Sequence, residues 1–189
     1  MSSSTSESGT RGRTRRAILA AAASTLARDR KATLADIAEA AQVGRSTLHR
    51  YFADRSELME AAIVDSFRAV EDSVREAAID QGPALEAMRR LLAAMVDVGD
   101  RLAFLFGDPR VLEEFTDSFV PDMSVPTTID LIKRGQEEGV FDRASTPEWI
   151  QTVIWSLTYS GWEAAEKGEL PRHGVTATVI RTFENGMVT

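Results

Sequence analysis

The chain has 189 residues, enough for one large or two small domains that bury a core without disulfides or a structural metal. Hydrophobic residues make up 43% of it and charged residues 27%, a balance that excludes wholesale disorder and collagen-like repeats. The absence of cysteine excludes thiolate catalysis, disulfides and cysteine-ligated zinc, and only His49 and His173 remain as imidazoles. No apolar run approaches the roughly 18 to 20 residues of a membrane span, so we expect a cytoplasmic protein with no membrane partner.

The net charge of −7 conceals an asymmetry along the chain. Residues 11–55 carry ten basic and four acidic side chains, a net +6, whereas the rest of the chain carries twelve basic and twenty-five acidic side chains, a net −13. A basic module in an acidic protein indicates a polyanionic partner that meets one end of the chain only.

The first predicted elements are a leader and two helices. Residues 1–10 have no apolar side chain after the first residue. We therefore expect a disordered leader, because it has no apolar surface whose burial could offset the conformational entropy lost on ordering. From Thr14 onward, apolar residues recur at three- and four-residue steps, which predicts a helix ending near residues 28–31. Thr33 then opens a short second helix, with Asp36 three residues later as its partner in a capping-box-like pair.

The stretch 33–52 has the physical parts of a helix-turn-helix, with two short helices on either side of a turn at residues 42–44. Ala38 is small where two helices must cross closely, and Val43 is expected to fill the turn. The second helix is predicted to point Leu48, Tyr51 and Phe52 inward.

Donor-rich side chains remain for the exposed face of this second helix, namely Arg45, Ser46, His49 and Arg50. A guanidinium can bind guanine bidentately in the major groove, so this face is predicted to read DNA sequence. Other basic and hydroxyl groups are predicted to hold phosphates, which positions the module without specifying sequence. The full predicted DNA-binding set is Arg11, Arg13, Arg15, Thr33, Arg45, Ser46, Thr47, His49, Arg50 and Arg55.

The remaining elements are also predicted to be helices. A long helix is expected to be capped by Ser56 and to fade near residues 81–83. No later segment keeps a two-residue alternation bounded by hairpin turns, so the chain is predicted to be all-α. A helix is expected at 85–98, and the helix after it is expected to break at 107–109. The next helix has an entry flanked by Pro121 and Pro126 and a stop at 135–139, and the last two are expected at 147–167 and 175–187.

Helix 147–167 shows two apolar faces. A helix that is buried on two sides should meet its own subunit with one face and a partner with the other. Together with helix 175–187 it predicts a symmetric four-helix interface between two copies, and the sequence leaves open which face points outward. One face holds Ile150, Val153, Ile154, Leu157 and Gly161, and the other holds Trp155, Tyr159 and Trp162.

The run DIAEAAQVGRSTLHRYFADRSEL, residues 36–58, resembles the N-terminal signature of the TetR family of transcriptional regulators. The resemblance is specific over residues 14–60 and is one of layout beyond them. It implies a three-helix DNA-binding domain with the helix-turn-helix at residues 11–55, and a C-terminal helical bundle for ligand binding and dimerisation at 56–189. It also implies repression as the usual mode of action.

The sequence departs from the family pattern at three positions. Gln42 stands where the family usually has glycine in the turn, and a left-handed conformation there would cost a non-glycine residue about 1 to 2 kcal/mol. The alternatives are a turn of different shape or a tolerated strain. His49 replaces a common tyrosine that contacts a phosphate, and Arg55 replaces a lysine at the start of the fourth helix, which keeps the charge and changes its geometry.

Ten of the thirteen aromatic residues lie after residue 100, most of them expected in the core. Some of them, with adaptable methionines, are predicted to line a pocket for a small hydrophobic ligand. The predicted lining residues are Met88, Met95, Phe104, Phe115, Phe119, Trp155 and Tyr159.

We therefore expect a ligand-responsive, DNA-binding repressor that acts as a homodimer and needs no cofactor or metal. An enzyme is disfavoured because the sequence shows no serine elbow, no phosphate loop and no two histidines near each other or near paired carboxylates at helical metal spacing. The other alternative is a helical dimeric adaptor that has lost DNA binding and has no ligand control.

Overall fold

The structure is a computed structural model that describes residues 3–108, 111 and 126–188. Within these residues it contains nine α-helices, one 3-10 helix and a single isolated bridge between Phe141 and Val188, which confirms the all-α prediction. The helices are α1 (Ser3–Arg28), α2 (Leu34–Ala40), α3 (Arg45–Tyr51), α4 (Arg55–Glu76), α5 (Ala84–Asp97), α6 (Gly99–Phe106), α7 (Pro126–Glu137), α8 (Pro147–Glu166), the 3-10 helix Arg172–Gly174 and α9 (Val175–Met187).

The described residues form two compact units. The first unit comprises the residues up to Ala69 and those from Asp100 to Val111, and the second comprises Val70–Gly99 and the residues from Pro126 onward. The sequence predicted a division at residue 55. The structural units differ from it because α6 and the first part of α4 belong with α1, α2 and α3.

The first unit is built on the apolar stripe of α1. The predicted stripe is buried in full, since Ile18, Leu19, Ala22, Ala23 and Leu26 are each at most 1% exposed. Such a stripe at three- and four-residue steps covers one side of a helix, which is why this side faces the core.

Two helix starts differ from the sequence prediction. Helix α1 begins at Ser3 rather than near Thr14, because adding a residue to an existing helix costs far less than nucleating one. The expected leader is therefore helical from Ser3. Helix α4 is capped by Asp54 rather than Ser56, since Glu57 N–H donates to the Asp54 carboxylate at 3.0 Å and Ala53 N–H donates to the Glu57 carboxylate at 2.7 Å.

A polar cluster joins three helices of the first unit. Arg101 of α6 lies with Nη1 3.1 Å from Asp65 Oδ2 and 3.2 Å from Ser66 Oγ, both on α4, and 3.4 Å from the Leu19 carbonyl of α1. The side chains of Arg101 and Asp65 are only 12% and 23% exposed, and Ser66 is fully buried. Polar groups withdrawn from water to this extent need such partners, so the cluster fixes α6 against α1 and α4.

In the second unit, α8 and α9 approach closely at Gly161. A side chain there would bring its Cβ within 2.6 Å of Val179 Cγ2 and 3.2 Å of Val175 Cγ1, so only glycine permits this approach. The buried face of α8 includes Thr158, whose hydroxyl donates to the Ile154 carbonyl at 2.8 Å. Of the predicted apolar face, Ile150, Ile154 and Gly161 are buried whereas Val153 and Leu157 are half-buried, and the internal hydrogen bond lets Thr158 be buried as well.

All three tryptophans of the chain lie on α8. Trp149 is 55% exposed, whereas Trp155 and Trp162 are half-buried. Trp162 lies beside Gly99, which belongs to the same unit. Among the described residues, no helix combines the length and the apolar character that crossing a bilayer requires.

We predict that Arg101→Ala lowers the free energy of unfolding by about 2 to 3 kcal/mol, because the substitution leaves the mostly buried Asp65 carboxylate without its cation. The matched control is Arg75→Ala, whose ion pair with Asp72 is exposed and should contribute less than about 0.5 kcal/mol. Urea denaturation of both variants measures the difference. Equal losses would contradict a structural role for the Arg101 cluster.

Candidate nucleic-acid interface

The connection between α1 and α2, residues 29–33, is held by Arg55 at the start of α4. Arg55 Nη1 donates to the Ala32 carbonyl at 2.5 Å, and Nη2 donates to the Arg30 carbonyl at 3.1 Å. Carbonyls outside regular helices require donors of this kind when they are partly buried. The sequence assigned Arg55 to a phosphate. In the structure two of its donor nitrogens serve the fold, and a guanidinium has further N–H groups that can meet a phosphate.

The side chain of Arg30 closes the C-terminal end of α6. Its Nη2 donates to the Ala103 carbonyl at 2.7 Å and its Nη1 to the Phe104 carbonyl at 2.8 Å. The last carbonyls of a helix lack intrahelical partners, and the helix dipole favours a cation there. The guanidinium carbon also lies 5.8 Å from the centroid of the Phe104 ring. Arg30 thus joins the α1–α2 connection to α6.

Helix α2 begins with the capping box that the sequence predicted. Asp36 N–H donates to Thr33 Oγ1 at 3.3 Å, and the Asp36 carboxylate accepts from the Thr33 backbone N–H at 2.7 Å and from the Thr33 hydroxyl at 2.8 Å. The bond from the Thr33 backbone N–H holds the pKa of Asp36 below its ordinary value, so the cap is ionised at neutral pH. The single hydroxyl proton of Thr33, which the sequence assigned to a DNA contact, is donated within this box.

The turn between α2 and α3 resolves the question raised by Gln42. Gln42 adopts φ 55°, the left-handed conformation, so the turn has the expected shape and the strain is tolerated. Gln42 N–H donates to the Glu39 carbonyl and Val43 N–H to the Ala38 carbonyl, each at 2.9 Å, which is the Schellman pattern that usually places glycine at this position. Gly44, by contrast, has an ordinary φ of −69°.

Helix α3 presents its two predicted faces. Leu48 is buried against the first unit, whereas the predicted reading residues Arg45, Ser46, His49 and Arg50 are exposed and Thr47 is half-buried. The phosphate-binding candidates Arg11, Arg13 and Arg15 of α1 are exposed as well. Contact of these residues with DNA stays a prediction.

The sequence placed Tyr51 in the core, but it is half-buried and contacts two arginines. The guanidinium carbons of Arg11 and Arg50 lie 5.9 and 5.8 Å from the centroid of its ring. The guanidinium carbon of Arg15 lies 5.4 Å from the centroid of the Phe52 ring. The four-residue spacing places Arg11 and Arg15 on one face of α1, but the sequence carries no signal that this face meets the end of α3.

The predicted ligand-binding residues are divided between the units. Phe104 lies in the first unit, buried and in contact with Arg30. Phe115 and Phe119 lie outside the described residues. The second unit holds the remaining four, of which Met88 and Met95 are buried, Trp155 is half-buried and Tyr159 is exposed with its ring centroid 6.2 Å from that of Trp162.

Comparison with known proteins shows similarity at two levels. A sequence model described as bacterial regulatory proteins of the tetR family matches residues 18–62. Over 189 residues, 100% of this chain and 98% of the relative, the chain is 34% identical to the HTH-type transcriptional repressor LfrR of Mycolicibacterium smegmatis. It is 26% identical over 160 residues, 82% of this chain and 84% of the relative, to the HTH-type transcriptional regulator NfxB of Pseudomonas aeruginosa.

Solved structures agree with these similarities. A crystal structure of the TetR-like regulator LfrR from Mycobacterium smegmatis matches with a TM-score of 0.75 at 32% identity, covering 96% of this chain and 99% of that one. A crystal structure of LfrR in complex with proflavine matches with a TM-score of 0.70 at 32% identity, covering 95% and 99% of the two chains.

We predict that Gln42→Gly raises the free energy of unfolding by about 0.5 to 1 kcal/mol, because glycine removes the left-handed strain. The gain is only partial, since glycine also increases the conformational entropy of the unfolded chain. Urea denaturation measures the change. Gly44→Ala is the matched control, since a Cβ there would meet only Ser46 Oγ at 3.9 Å and φ is ordinary. A Gln42→Gly variant that is less stable than the parent would contradict this account of the turn.

Proposed function

The chain belongs to the TetR family of bacterial regulatory proteins, and from this we propose that it is a repressor that leaves its DNA operator when a small hydrophobic molecule binds. The observation that carries the proposal is the helix-turn-helix of the first unit, in which Leu48 anchors α3 while Arg45, Ser46, His49 and Arg50 face outward. Repression itself is supported by the 34% identity to the repressor LfrR. DNA is the partner of such a protein, so we place it in the cytoplasm.

In the proposed complex, α3 lies in the major groove and reads base edges. Arg45 is the principal candidate, because a guanidinium can bind O6 and N7 of guanine together. Ser46, Thr47, His49 and Arg50 complete the face of α3. Exposed cations outside it, Arg11, Arg13 and Arg15, and the remaining donors of Arg55, are assigned to phosphates, which fix the register of the protein on the duplex.

Arg55 and Thr33 have a second role in this proposal. Arg55 holds the two carbonyls of the α1–α2 connection, and Thr33 holds the first turn of α2. Both therefore keep the reading helix in place whether or not they touch DNA. The loss of either side chain would change the position of α2 as well as any phosphate contact.

We propose that the protein acts as a homodimer through α8 and α9. The buried face of α8, including Ile154 and Gly161, is used within the unit, which leaves the half-buried Val153 and Leu157 for a partner copy. Two reading helices related by a two-fold axis require two half-sites with the same symmetry.

The ligand is assigned to the second unit, where Met88, Met95, Trp155 and Tyr159 supply apolar surface of adaptable shape. LfrR has been crystallised in complex with proflavine, a flat aromatic cation. Residues 56–189 carry a net charge of −12, which favours a cationic aromatic molecule over an anionic one. Proflavine is therefore a suitable first probe.

We predict that Arg45→Ala weakens binding to the operator about 5- to 100-fold and leaves random DNA almost unaffected, because a base contact carries sequence preference. The matched variant Arg13→Ala should weaken binding to both DNAs by a similar factor. It should also reduce the slope of log affinity against log salt concentration by about one, the value for one phosphate contact. The operator is first selected from a random oligonucleotide library, and fluorescence anisotropy then measures both affinities at several salt concentrations.

The selection and the two variants also separate the alternatives. A dimeric repressor should recover sites with two-fold symmetry, whereas an adaptor without DNA binding would recover none. Equal effects of Arg45→Ala and Arg13→Ala on both DNAs would show that the reading and anchoring roles are wrongly assigned.

We predict that proflavine weakens operator binding about 5- to 150-fold, because a ligand acts only through its preference for one of two states. Operator DNA must weaken proflavine binding by the same factor. Trp155→Ala should keep operator affinity and lose this response, whereas Trp149→Ala, at an exposed position, should keep both. Anisotropy of labelled operator measures each case.

Proflavine also stacks in duplex DNA, so the variants serve as the essential control. If proflavine released the protein from the operator only by binding to the DNA, the release would be identical in the parent and in Trp155→Ala. That result would contradict a ligand site at Trp155.

A further inference from the structure

We propose that Tyr51 is a positioning residue for DNA binding, whose ring holds Arg11 and Arg50 in the orientation in which they meet phosphates. The proposal rests on the proposed function, since it concerns how the same surface binds DNA. It assigns a role to a residue that sequence reasoning placed in the core. It also links the segment before residue 18 to the recognition helix.

The contacts converge on the last residue of α3. Arg50 precedes Tyr51 in α3, whereas Arg11 comes from α1, forty positions earlier, and both guanidinium carbons lie less than 6 Å from the centre of one ring. Both arginines are exposed and the tyrosine is half-buried. Two positive charges are thus gathered at one place on the surface, a costly arrangement in isolation and a favourable one beside a phosphate backbone.

Contact with an aromatic ring leaves the hydrogen-bonding groups of an arginine available. The ring attracts the positive charge of the guanidinium, and the N–H groups at its edge can still bind phosphate oxygens. An arginine already held against a ring also loses less rotamer freedom on binding than one that moves in solvent. Tyr51 therefore contributes to affinity without itself needing to touch DNA.

A parallel contact supports the arrangement. Arg15, one helical turn after Arg11, lies over the ring of Phe52, which is 1% exposed. Two arginines four residues apart on α1 thus meet two consecutive aromatic residues at the end of α3. The family model matches residues 18–62, so Arg11 and Arg15 lie before the matched segment.

The test is a double-substitution cycle on the selected operator, measured by fluorescence anisotropy with the full chain. Tyr51→Leu should weaken binding about 2- to 5-fold for each arginine it releases, and Tyr51→Phe, which keeps the ring, should retain parental affinity. Arg11→Ala combined with Tyr51→Leu should weaken binding by less than the product of the separate effects. Independent effects in this cycle, or a loss in Tyr51→Phe equal to that in Tyr51→Leu, would overturn the proposal.

Arg11→Lys provides a second readout that does not disturb the fold, because Arg11 is exposed. Lysine keeps the charge but has no flat face to stack, so it should weaken operator binding about 2- to 5-fold in the parent and have no effect in the Tyr51→Leu background. Parental affinity of Arg11→Lys would overturn the proposal, including in the case where Tyr51→Leu does not fold.

Arg45→Ala separates this proposal from the proposed function. Loss of sequence preference in Arg45→Ala together with unchanged affinity in the Tyr51 and Arg11 variants would refute the positioning role alone. Absence of any selected operator for the parent would refute the proposed function.

Discussion

Backbone carbonyls at helix ends and in the connections between helices need hydrogen-bond donors, and in the first unit arginine side chains supply them. Arg55 donates to two carbonyls of the α1–α2 connection, and one of these belongs to Arg30, which in turn closes the end of α6. Arg101 adds a contact from α6 to α1 and α4. Because these bonds cross between segments distant in sequence, the α1–α2 connection is held to α4 and α6, both outside the helix-turn-helix itself.

The basic residues fall into two groups, those that donate hydrogen bonds within the protein and those that are exposed, and the net charge does not distinguish them. Arg30, Arg55 and Arg101 direct donors into the protein, whereas Arg45 and Arg50 stand exposed on α3. The charge of +6 over residues 11–55 counts Arg30 and Arg55 in the same way as Arg45 and Arg50. The basic residues counted in the sequence therefore overstate the number of arginine donors that remain for a polyanion.

The sequence was sufficient for features set by local periodicity and local chemistry. The stripe of α1 and the Thr33 cap were predicted, and the left-handed turn at Gln42 was one of two alternatives, because each depends on residues a few positions apart. The features it missed depend on residues distant in sequence. Neither the grouping of α6 with α1 nor the meeting of Arg11 with Tyr51 leaves a periodic signal, and Asp54 was overlooked because Ser56 is an equally good cap by type.

The placement of all three tryptophans on α8 has an optical consequence. Excitation selective for indole addresses only the second unit, since the first unit contains tyrosine and phenylalanine but no tryptophan among its described residues, and the whole sequence has no other. Trp149 is open to water whereas Trp155 and Trp162 are partly shielded, so their emission maxima should be distinct. Tryptophan fluorescence therefore reports on the second unit only and gives no signal from the unit that is proposed to bind DNA.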